Sequence, residues 1–383
     1  MDKLKQIADF IKNQHQAKSF IPLHEPMFGG NEKKYLLETI DSTYVSSVGA
    51  FVDTFEQMMG EITNSTKGVA IVNGTAALQI AMQLVGVKPG DEVITQALTF
   101  VATSNAINYT GATPIYIDVD IDTMGLSSES VSRFLEDNAY TENNKCYNKK
   151  TKKSISACVP MHTFGFPVRM DELIAICNKW FIPIVEDAAE SIGSLYKNKP
   201  CGTLGDIGIF SFNGNKIITC GGGGAIVSKN ENFIKRGKYL TTTAKVPHAY
   251  EYVHDEIGYN YRMPNLNAAL AVAQLEQLDS FIIKKRILAS RYQEFFNSLG
   301  IQSRKEMEGT KANYWLNCLE LENEKDRNDF LIYMNKEGVM TRPIWQLMFK
   351  LPMFNHCQKD DQKNALFLES RIVNIPSSVN LIT

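Results

Sequence analysis

Two strand-like segments of the chain end in side chains that could do chemistry. The apolar segment 207–212 leads through a short polar turn to Lys216, and the apolar segment 181–186 ends at Asp187. A lysine at the end of a buried strand can lose hydration, and its amine can then act as a nucleophile at neutral pH. Such a lysine and aspartate are the pair that pyridoxal phosphate chemistry requires. The lysine carries the cofactor as a Schiff base, and the aspartate keeps the pyridine nitrogen protonated.

The turn around residue 74 has the sequence of an anion site. A strand is predicted up to residue 72 and a helix from residue 75. This leaves the backbone N–H groups of Gly74, Thr75 and Ala76 without helical partners. Together with the helix dipole and the Thr75 hydroxyl, they could hold a phosphate. Thr75 could instead serve only as the helix cap. Ser211 could reach the same phosphate or be an inert strand residue.

Four further candidates each have two interpretations. Glu190 shares a face with Asp187 if this segment is helical, and it could approach the cofactor's phenolic oxygen or form a structural hydrogen bond. Asp187 itself could simply cap a following helix. Phe100 could stack on a planar cofactor ring or pack in the core. His162 follows a predicted strand, so we consider both an active-site role and a structural role.

Bulk properties narrow the class of protein. The chain has 383 residues, a net charge of −2, 44% hydrophobic and 21% charged residues. This length predicts two domains, and the near-neutral charge argues against nucleic-acid and anionic-membrane partners. Seven scattered cysteines without metal-ligand spacing indicate reduced structural thiols and no metal site. The charged start of the chain, and the lack of an apolar run of about 20 residues, favour a cytoplasmic location.

Strands and helices alternate from residue 67 to residue 228, which predicts a largely parallel sheet with helices on both faces. In such sheets ligands bind beyond the carboxyl ends of the strands, near which Asp187 and Lys216 lie. The polar segment 136–154 predicts a surface hairpin. We predict three regions: an N-terminal helical extension at 1–20, a large cofactor-binding α/β domain at 21–260 and a small C-terminal α+β domain at 261–383.

Six motifs in consistent order make the chain resemble the DegT/DnrJ/EryC1/StrS sugar aminotransferase family over nearly its whole length. They are Asn73-Gly-Thr-Ala-Ala-Leu78, Glu186-Asp-Ala-Ala-Glu-Ser191, Ser211-Phe-Asn-Gly-Asn-Lys216, Gly221-Gly-Gly-Gly224, Gly258-Tyr-Asn-Tyr-Arg262 and Thr341-Arg-Pro-Ile-Trp345. The segments 20–26 and 42–49 are most similar to the branch called the LegC family.

The resemblance implies the aspartate-aminotransferase fold (fold type I), pyridoxal 5′-phosphate as cofactor, and a homodimer with active sites at the subunit interface. Asn260 would then reach the cofactor phosphate of the other subunit. Relatives often have Gln where this chain has Glu190. The residues that match sugar-nucleotide-contacting regions are Ser46, Ser47, His162, Arg262, Tyr314, Trp315 and Arg342.

The activity that the resemblance implies is transfer of an amino group from L-glutamate to C4 of a nucleotide-linked 4-keto-6-deoxyhexose in bacterial surface glycan biosynthesis. UDP-2-acetamido-2,6-dideoxy-4-keto-hexose is the favoured substrate, and GDP- and dTDP-linked sugars stay open. A sugar dehydratase of the same fold is the main alternative, but members of that class replace the Schiff-base lysine with histidine. If the protein were a non-enzymatic sensor or assembly partner, we would expect Lys216 or Asp187 to be replaced, and both are present. A pyridoxal phosphate enzyme that acts on amino acids is a third alternative, and segment 341–345 favours sugar nucleotides over it.

Overall fold

Between residues 67 and 228 helices lie between the strands of a sheet, as the sequence predicts. The computed structural model describes residues 2–15 and 19–379. Its α-helices span Asp2–Gln14, Glu32–Asp41, Ala50–Thr63, Gly74–Leu84, Val101–Tyr109, Ser128–Asn138, Met170–Lys179, Glu231–Thr241, Asn265–Leu275, Leu278–Ser298, Glu324–Lys336 and Lys363–Glu369.

Seven strands form the central sheet. Two ladders are joined by the backbone bridges Cys158–Ile184 and Met161–Asp187. From one edge to the other, the order is Lys67–Ile71, Gly224–Ser228, Ile207–Ser211, Val185–Asp187, Ile155–Val159, Glu92–Gln96 and Thr113–Ile117. Strand 224–228 is antiparallel to both of its neighbours, and the other pairings are parallel. The predicted mixed, mostly parallel sheet is therefore confirmed, and the carboxyl ends of six strands meet at one edge.

The strand that carries Asp187 is shorter than the sequence predicts. The apolar run begins at residue 181, but the regular ladder begins only at Val185. Phe181 has a φ of 57° and closes the turn after the preceding helix, and Pro183 has no N–H group to give to a ladder. The strand therefore begins late but still ends at the predicted carboxylate.

The predicted surface hairpin is present in segment 136–154. Strands Ala139–Glu142 and Lys145–Asn148 pair antiparallel. Both turn residues, Asn143 and Asn144, have positive φ values of 49° and 57°. A two-residue turn with positive φ at both positions matches the right-handed twist of the flanking strands.

The C-terminal part builds a second, antiparallel sheet. Its strand order is Gln302–Ser303, Asn317–Glu320, Ile372–Ile375 and Arg342–Pro343. The N-terminal helix packs on this part: Ile7 and Ile11 are fully buried in one apolar cluster with Leu288 and Phe296. Residues from the two ends of the chain thus share a core. The division into regions 1–20, 21–260 and 261–383 stays a prediction.

Candidate active site

A cavity of about 330 Å³ lies at the carboxyl edge of the central sheet. Asp187 and Ser211 reach it from the last positions of their strands, and Lys216 follows five residues after Ser211. Most of the predicted cofactor residues line it: Gly74, Thr75, Phe100, Asp187, Glu190, Ser211 and Lys216, together with Trp315 from the predicted substrate set. We call this the sheet-edge cavity.

Lys216 directs its amine into the sheet-edge cavity. Nζ donates a hydrogen bond to Glu190 Oε1 at 3.2 Å, and it lies 4.0 Å from the centre of the Trp315 ring. The side chain is only 12% exposed. The short turn before it is closed by a hydrogen bond from the Lys216 N–H group to the Asn213 carbonyl. A carboxylate and an aromatic face therefore orient the amine.

Asp187 is held by two donors beneath the cavity. Thr103 Oγ1 donates to Oδ2 at 2.7 Å, and the Ala189 N–H group donates to Oδ1 at 3.2 Å. Burial raises the pKa of Asp187, and the Thr103 hydrogen bond works against this rise. Residues 188–191 form turns. The alternative in which Asp187 only caps a following helix is therefore wrong.

Glu190 contacts Lys216, a contact that the sequence did not predict. Its segment is not helical, so it does not share a helix face with Asp187. Instead, the Phe164 N–H group donates to Oε2 at 2.9 Å, while Oε1 accepts from Lys216. Burial raises the pKa of Glu190 to about 7, and the Lys216 charge opposes this rise. Glu190 can thus exchange a proton near neutral pH.

Glu190→Gln is expected to remove a pH-dependent loss of stability from the cofactor-free protein. Because the pKa of Glu190 is raised from 4.5 to about 7, the folded protein binds this proton more tightly than the unfolded chain. The wild type should therefore lose on the order of 3 kcal/mol relative to the variant as pH rises through this window. Urea unfolding across pH 4.5–8 measures the difference. The exposed Glu231→Gln is the control, and parallel curves for wild type and Glu190→Gln would contradict the account.

The residues around position 74 have the form of a phosphate cup. Asn73, not Thr75, caps helix Gly74–Leu84: its Oδ1 accepts from the Ala76 N–H group at 2.8 Å. The N–H group of Ala76 is thus occupied and Ala76 does not line the cavity, which corrects that part of the prediction. Gly74 and Thr75 lie in the first helical turn, where N–H groups have no intrahelical acceptor.

Close packing at this turn requires glycine. A Cβ atom at position 74 would lie 2.9 Å from Cβ of Ser211, and one at Gly224 would lie 2.7 Å from the carbonyl carbon of Asn73. Glycine at these two positions therefore lets strand 207–211, strand 224–228 and the start of helix Gly74–Leu84 approach one another closely. The N–H groups of the turn and the hydroxyls of Thr75 and Ser211 fit the phosphate of pyridoxal phosphate. Lys216 fits the cofactor's aldehyde, and Asp187 fits its ring nitrogen.

Phe100 belongs to the cavity and not to the core. It is 50% exposed, and its ring lies 6.3 Å from the ring of Trp345, which also lines the cavity. The interpretation as a core aromatic is wrong. Its exposed face can therefore stack on a planar ligand.

His162 does not reach the cavity. It is fully buried, its Nε2 lies 3.0 Å from Glu186 Oε2, and its Nδ1 accepts from the Val168 N–H group at 3.1 Å. Since both ring nitrogens have protein partners, the structural interpretation holds, and the assignment of His162 to substrate is wrong for this structure. Tyr314 is likewise buried, with its hydroxyl accepting from the Glu306 N–H group at 3.3 Å.

The remaining predicted substrate residues lie away from the cavity lining. Ser46 is exposed and Ser47 is half-buried, and the predicted cofactor residue Asn260 is exposed and likewise does not line the cavity. Arg262 is half-buried, and Arg342 is exposed with its guanidinium bonded to Asn335 and the Thr341 carbonyl. The role that the resemblance gives Asn260 involves a second subunit, so it stays a prediction. The structure adds lining residues that sequence reasoning missed: Asn73, Thr103, Met161, Asn213, Asn215 and Trp345.

The cysteines and the other potential metal ligands do not form a second site in the described residues. All seven cysteines are free and buried, and burial raises the pKa of Cys220, the one nearest Lys216 in sequence, to about 12. In residues 2–15 and 19–379, no cluster of three or more potential ligands could hold a metal ion. Over the same ranges no helix is long and apolar enough to cross a membrane.

Known proteins are similar to this chain over nearly its whole length. Residues 26–383 match the model of the DegT/DnrJ/EryC1/StrS aminotransferase family. The chain is 36% identical to EpsN of Bacillus subtilis (strain 168), covering 94% of this chain and 92% of that protein. It is 35% identical to the GDP-perosamine synthase of Escherichia coli O157:H7, covering 94% of each.

The fold has close counterparts among solved structures. Helicobacter pylori PseC, an aminotransferase involved in the biosynthesis of pseudoaminic acid, superposes with a TM-score of 0.85 at 20% identity, covering 94% of each chain. This likeness confirms the predicted aminotransferase fold. The chain therefore belongs to the DegT/DnrJ/EryC1/StrS aminotransferase family, whose enzymes use pyridoxal phosphate.

Proposed function

We propose that the protein transfers an amino group from L-glutamate to C4 of a nucleotide-linked 4-keto-6-deoxyhexose. The observation that carries the proposal is the convergence of the Lys216 amine, the Glu190 carboxylate and the buried Asp187 in one cavity beside the phosphate cup. Family membership supports amino transfer to a sugar nucleotide. We place the reaction in the cytoplasm, in a homodimer, as a step of bacterial surface glycan biosynthesis.

Each residue has a defined task in this reaction. Pyridoxal phosphate, when bound, supplies an electron sink that stabilises negative charge at the carbon that gains or loses the amine. Lys216 Nζ would hold the cofactor, and as a free amine it would move a proton to or from C4 of the sugar as general acid and base. Asp187 keeps a proton on the pyridine nitrogen. Gly74, Thr75 and Ser211 hold the phosphate.

Glu190 supports Lys216 during proton transfer. Its Oε1 accepts from the Lys216 amine at 3.2 Å, and burial raises its pKa to about 7. A group that titrates near the working pH can release and take back a proton with little cost. Glu190 therefore keeps the amine oriented and buffers its charge.

The nucleotide has two candidates. We favour UDP-2-acetamido-2,6-dideoxy-4-keto-hexose because segments 20–26 and 42–49 are most similar to the LegC-like branch. The E. coli relative named for a GDP-linked product supports a GDP-linked 4-keto-6-deoxyhexose as the second candidate.

In a panel of nucleotide-linked 4-keto-6-deoxy sugars, we expect one nucleotide to be clearly preferred as substrate. Purified protein with pyridoxal phosphate and L-glutamate is offered UDP-, GDP- and dTDP-linked 4-keto-6-deoxy sugars. Mass spectrometry of the product should show an amine in place of the ketone and an equal amount of 2-oxoglutarate. The preferred nucleotide should exceed the others in kcat/KM by about tenfold or more, the scale set by one or two specific polar contacts.

Two outcomes would contradict this proposal. Loss of a hydroxyl from the sugar without amine gain would assign the protein to the dehydratase class of the same fold. Turnover of amino acids alone, with every nucleotide sugar inert, would assign it to amino-acid metabolism. Lys216→Ala assayed in parallel controls for adventitious chemistry of free cofactor.

A further inference from the structure

Lys285 is a buried amine that the proposed reaction does not use. It lies in helix Leu278–Ser298 with no exposed surface. Nζ donates to the backbone carbonyls of Ser377 at 2.6 Å, Trp315 at 2.9 Å and, more weakly, Tyr314 at 3.5 Å. Among the described residues no carboxylate forms an ion pair with it. Burial lowers the pKa of Lys285, and even a neutral amine has the two N–H donors that the short bonds need.

The carbonyls that Lys285 binds belong to a constrained segment. Tyr314 has a φ of 49°, in the left-handed region that a bulky residue adopts only when its surroundings require it. Asn313 fixes the segment from the other side: its Nδ2 donates to the Glu190 carbonyl at 2.9 Å, and its Oδ1 accepts from the Trp315 N–H group at 2.8 Å. The segment therefore needs several hydrogen bonds to keep its shape.

Trp315 connects this segment to the reactive amine. Its indole Nε1 donates to the carbonyl of Asn215 at 2.8 Å, and Asn215 immediately precedes Lys216 in the chain. The face of the same indole lies 4.0 Å from Lys216 Nζ. Any shift of the Trp315 backbone would therefore move both the turn that carries Lys216 and the surface against which its amine rests.

We propose that Lys285 is a positioning residue for Lys216, acting through Trp315. Its amine fastens the Trp315 backbone to the C-terminal segment at Ser377, and the indole in turn holds Lys216 against Glu190. This role rests on the proposed function only in giving Lys216 a reaction to perform. The positioning itself is a property of the cofactor-free chain, so it can be tested without turnover.

The test measures how fast Lys216 is acetylated in the cofactor-free protein. Wild type and Lys285→Met are treated briefly with an N-hydroxysuccinimide acetate, and acetylation of each lysine is quantified by peptide mass spectrometry. Lys285→Met keeps an unbranched side chain, one heavy atom shorter, and removes its donors. We expect Lys216 to be labelled several-fold faster in this variant, while exposed lysines such as Lys235 keep their rates. The matched control is Lys284→Met, which removes the neighbouring, partly exposed lysine.

A double-mutant cycle separates positioning from general loosening. If Lys285 acts through Trp315, Lys285→Met should change Lys216 labelling strongly in the wild type and little in a Trp315→Ala background. Lys285→Gln keeps two donors and should give an intermediate rate. Lys285→Gln replaces Lys285→Met in the labelling experiment if circular dichroism and thermal unfolding show that Lys285→Met does not fold.

Three results would overturn the proposal. One is an unchanged Lys216 rate in a folded Lys285 variant. Another is an equal acceleration with and without Trp315. The third is uniform acceleration of all lysines, which would show a loosened fold and no specific role. None of these depends on aminotransferase activity, so failure of this proposal and failure of the proposed function remain distinguishable.

Discussion

Lys216→Ala should lose the visible absorbance of bound cofactor and catalytic turnover together. The variant has no amine to hold the aldehyde and none to move the proton at C4. Loss of a positioned acid–base catalyst alone costs up to about 10⁴-fold, so we expect kcat to fall at least that far. Absorbance spectra of the purified protein and steady-state rates with glutamate and the preferred sugar nucleotide measure both effects.

Lys235→Ala is the control for this variant. Lys235 lies on the surface, paired with Glu231 one helical turn away, and its loss should leave both spectrum and rate unchanged. Small primary amines added to Lys216→Ala should restore part of the rate by replacing the missing amine. Turnover by Lys216→Ala without any added amine would defeat the assignment.

Asp187→Asn should retain bound cofactor but lose most of the rate of chemistry. A neutral amide cannot keep the pyridine nitrogen protonated, so the electron sink is weakened where charge develops. Removing one preorganised electrostatic group of this kind costs about 10²–10³-fold in kcat. Single-turnover rates at saturating cofactor measure the effect apart from any change in cofactor affinity.

Thr103→Val supplies the matched comparison for Asp187→Asn. It removes only the hydroxyl that donates to Asp187 Oδ2 at 2.7 Å and keeps the carboxylate. One hydrogen bond to a charged group contributes about 1.5–3 kcal/mol, and the remaining Ala189 donor still orients the acid. We expect a smaller loss than for Asp187→Asn. A wild-type rate for Asp187→Asn at saturating cofactor would show that the acid does not face the ring nitrogen.

The sheet and the two central residues of the site could be predicted because their signals are local. Strands that are buried on both faces of a parallel sheet have continuous apolar sequences, and such runs can be recognised directly in this chain. Parallel topology then brings the strand ends to one edge, so Asp187 and Lys216 had to lie close to each other. The signal at Gly74 is also local, because a glycine between an apolar strand and a helix indicates a tight strand–turn–helix junction.

Roles that depend on distant partners could not be predicted. Glu190 lies in a turn and accepts a hydrogen bond from the Phe164 N–H group, so the predicted helical spacing from Asp187 did not reveal its contact with Lys216. His162 has both nitrogens occupied by groups whose approach follows only from the folded chain. Lys285 lies on the same helix face as Phe281 and Leu288, so helical spacing indicates its burial, but its carbonyl partners follow only from the folded chain.

The most direct test locates the lysine that carries the cofactor. Protein loaded with pyridoxal phosphate is treated with borohydride, which fixes the cofactor on its amine, and is then digested and analysed by peptide mass spectrometry. The account predicts a single phosphopyridoxyl group, on Lys216. Attachment to any other lysine, or recovery of an unmodified Lys216 peptide from fully loaded protein, would contradict it.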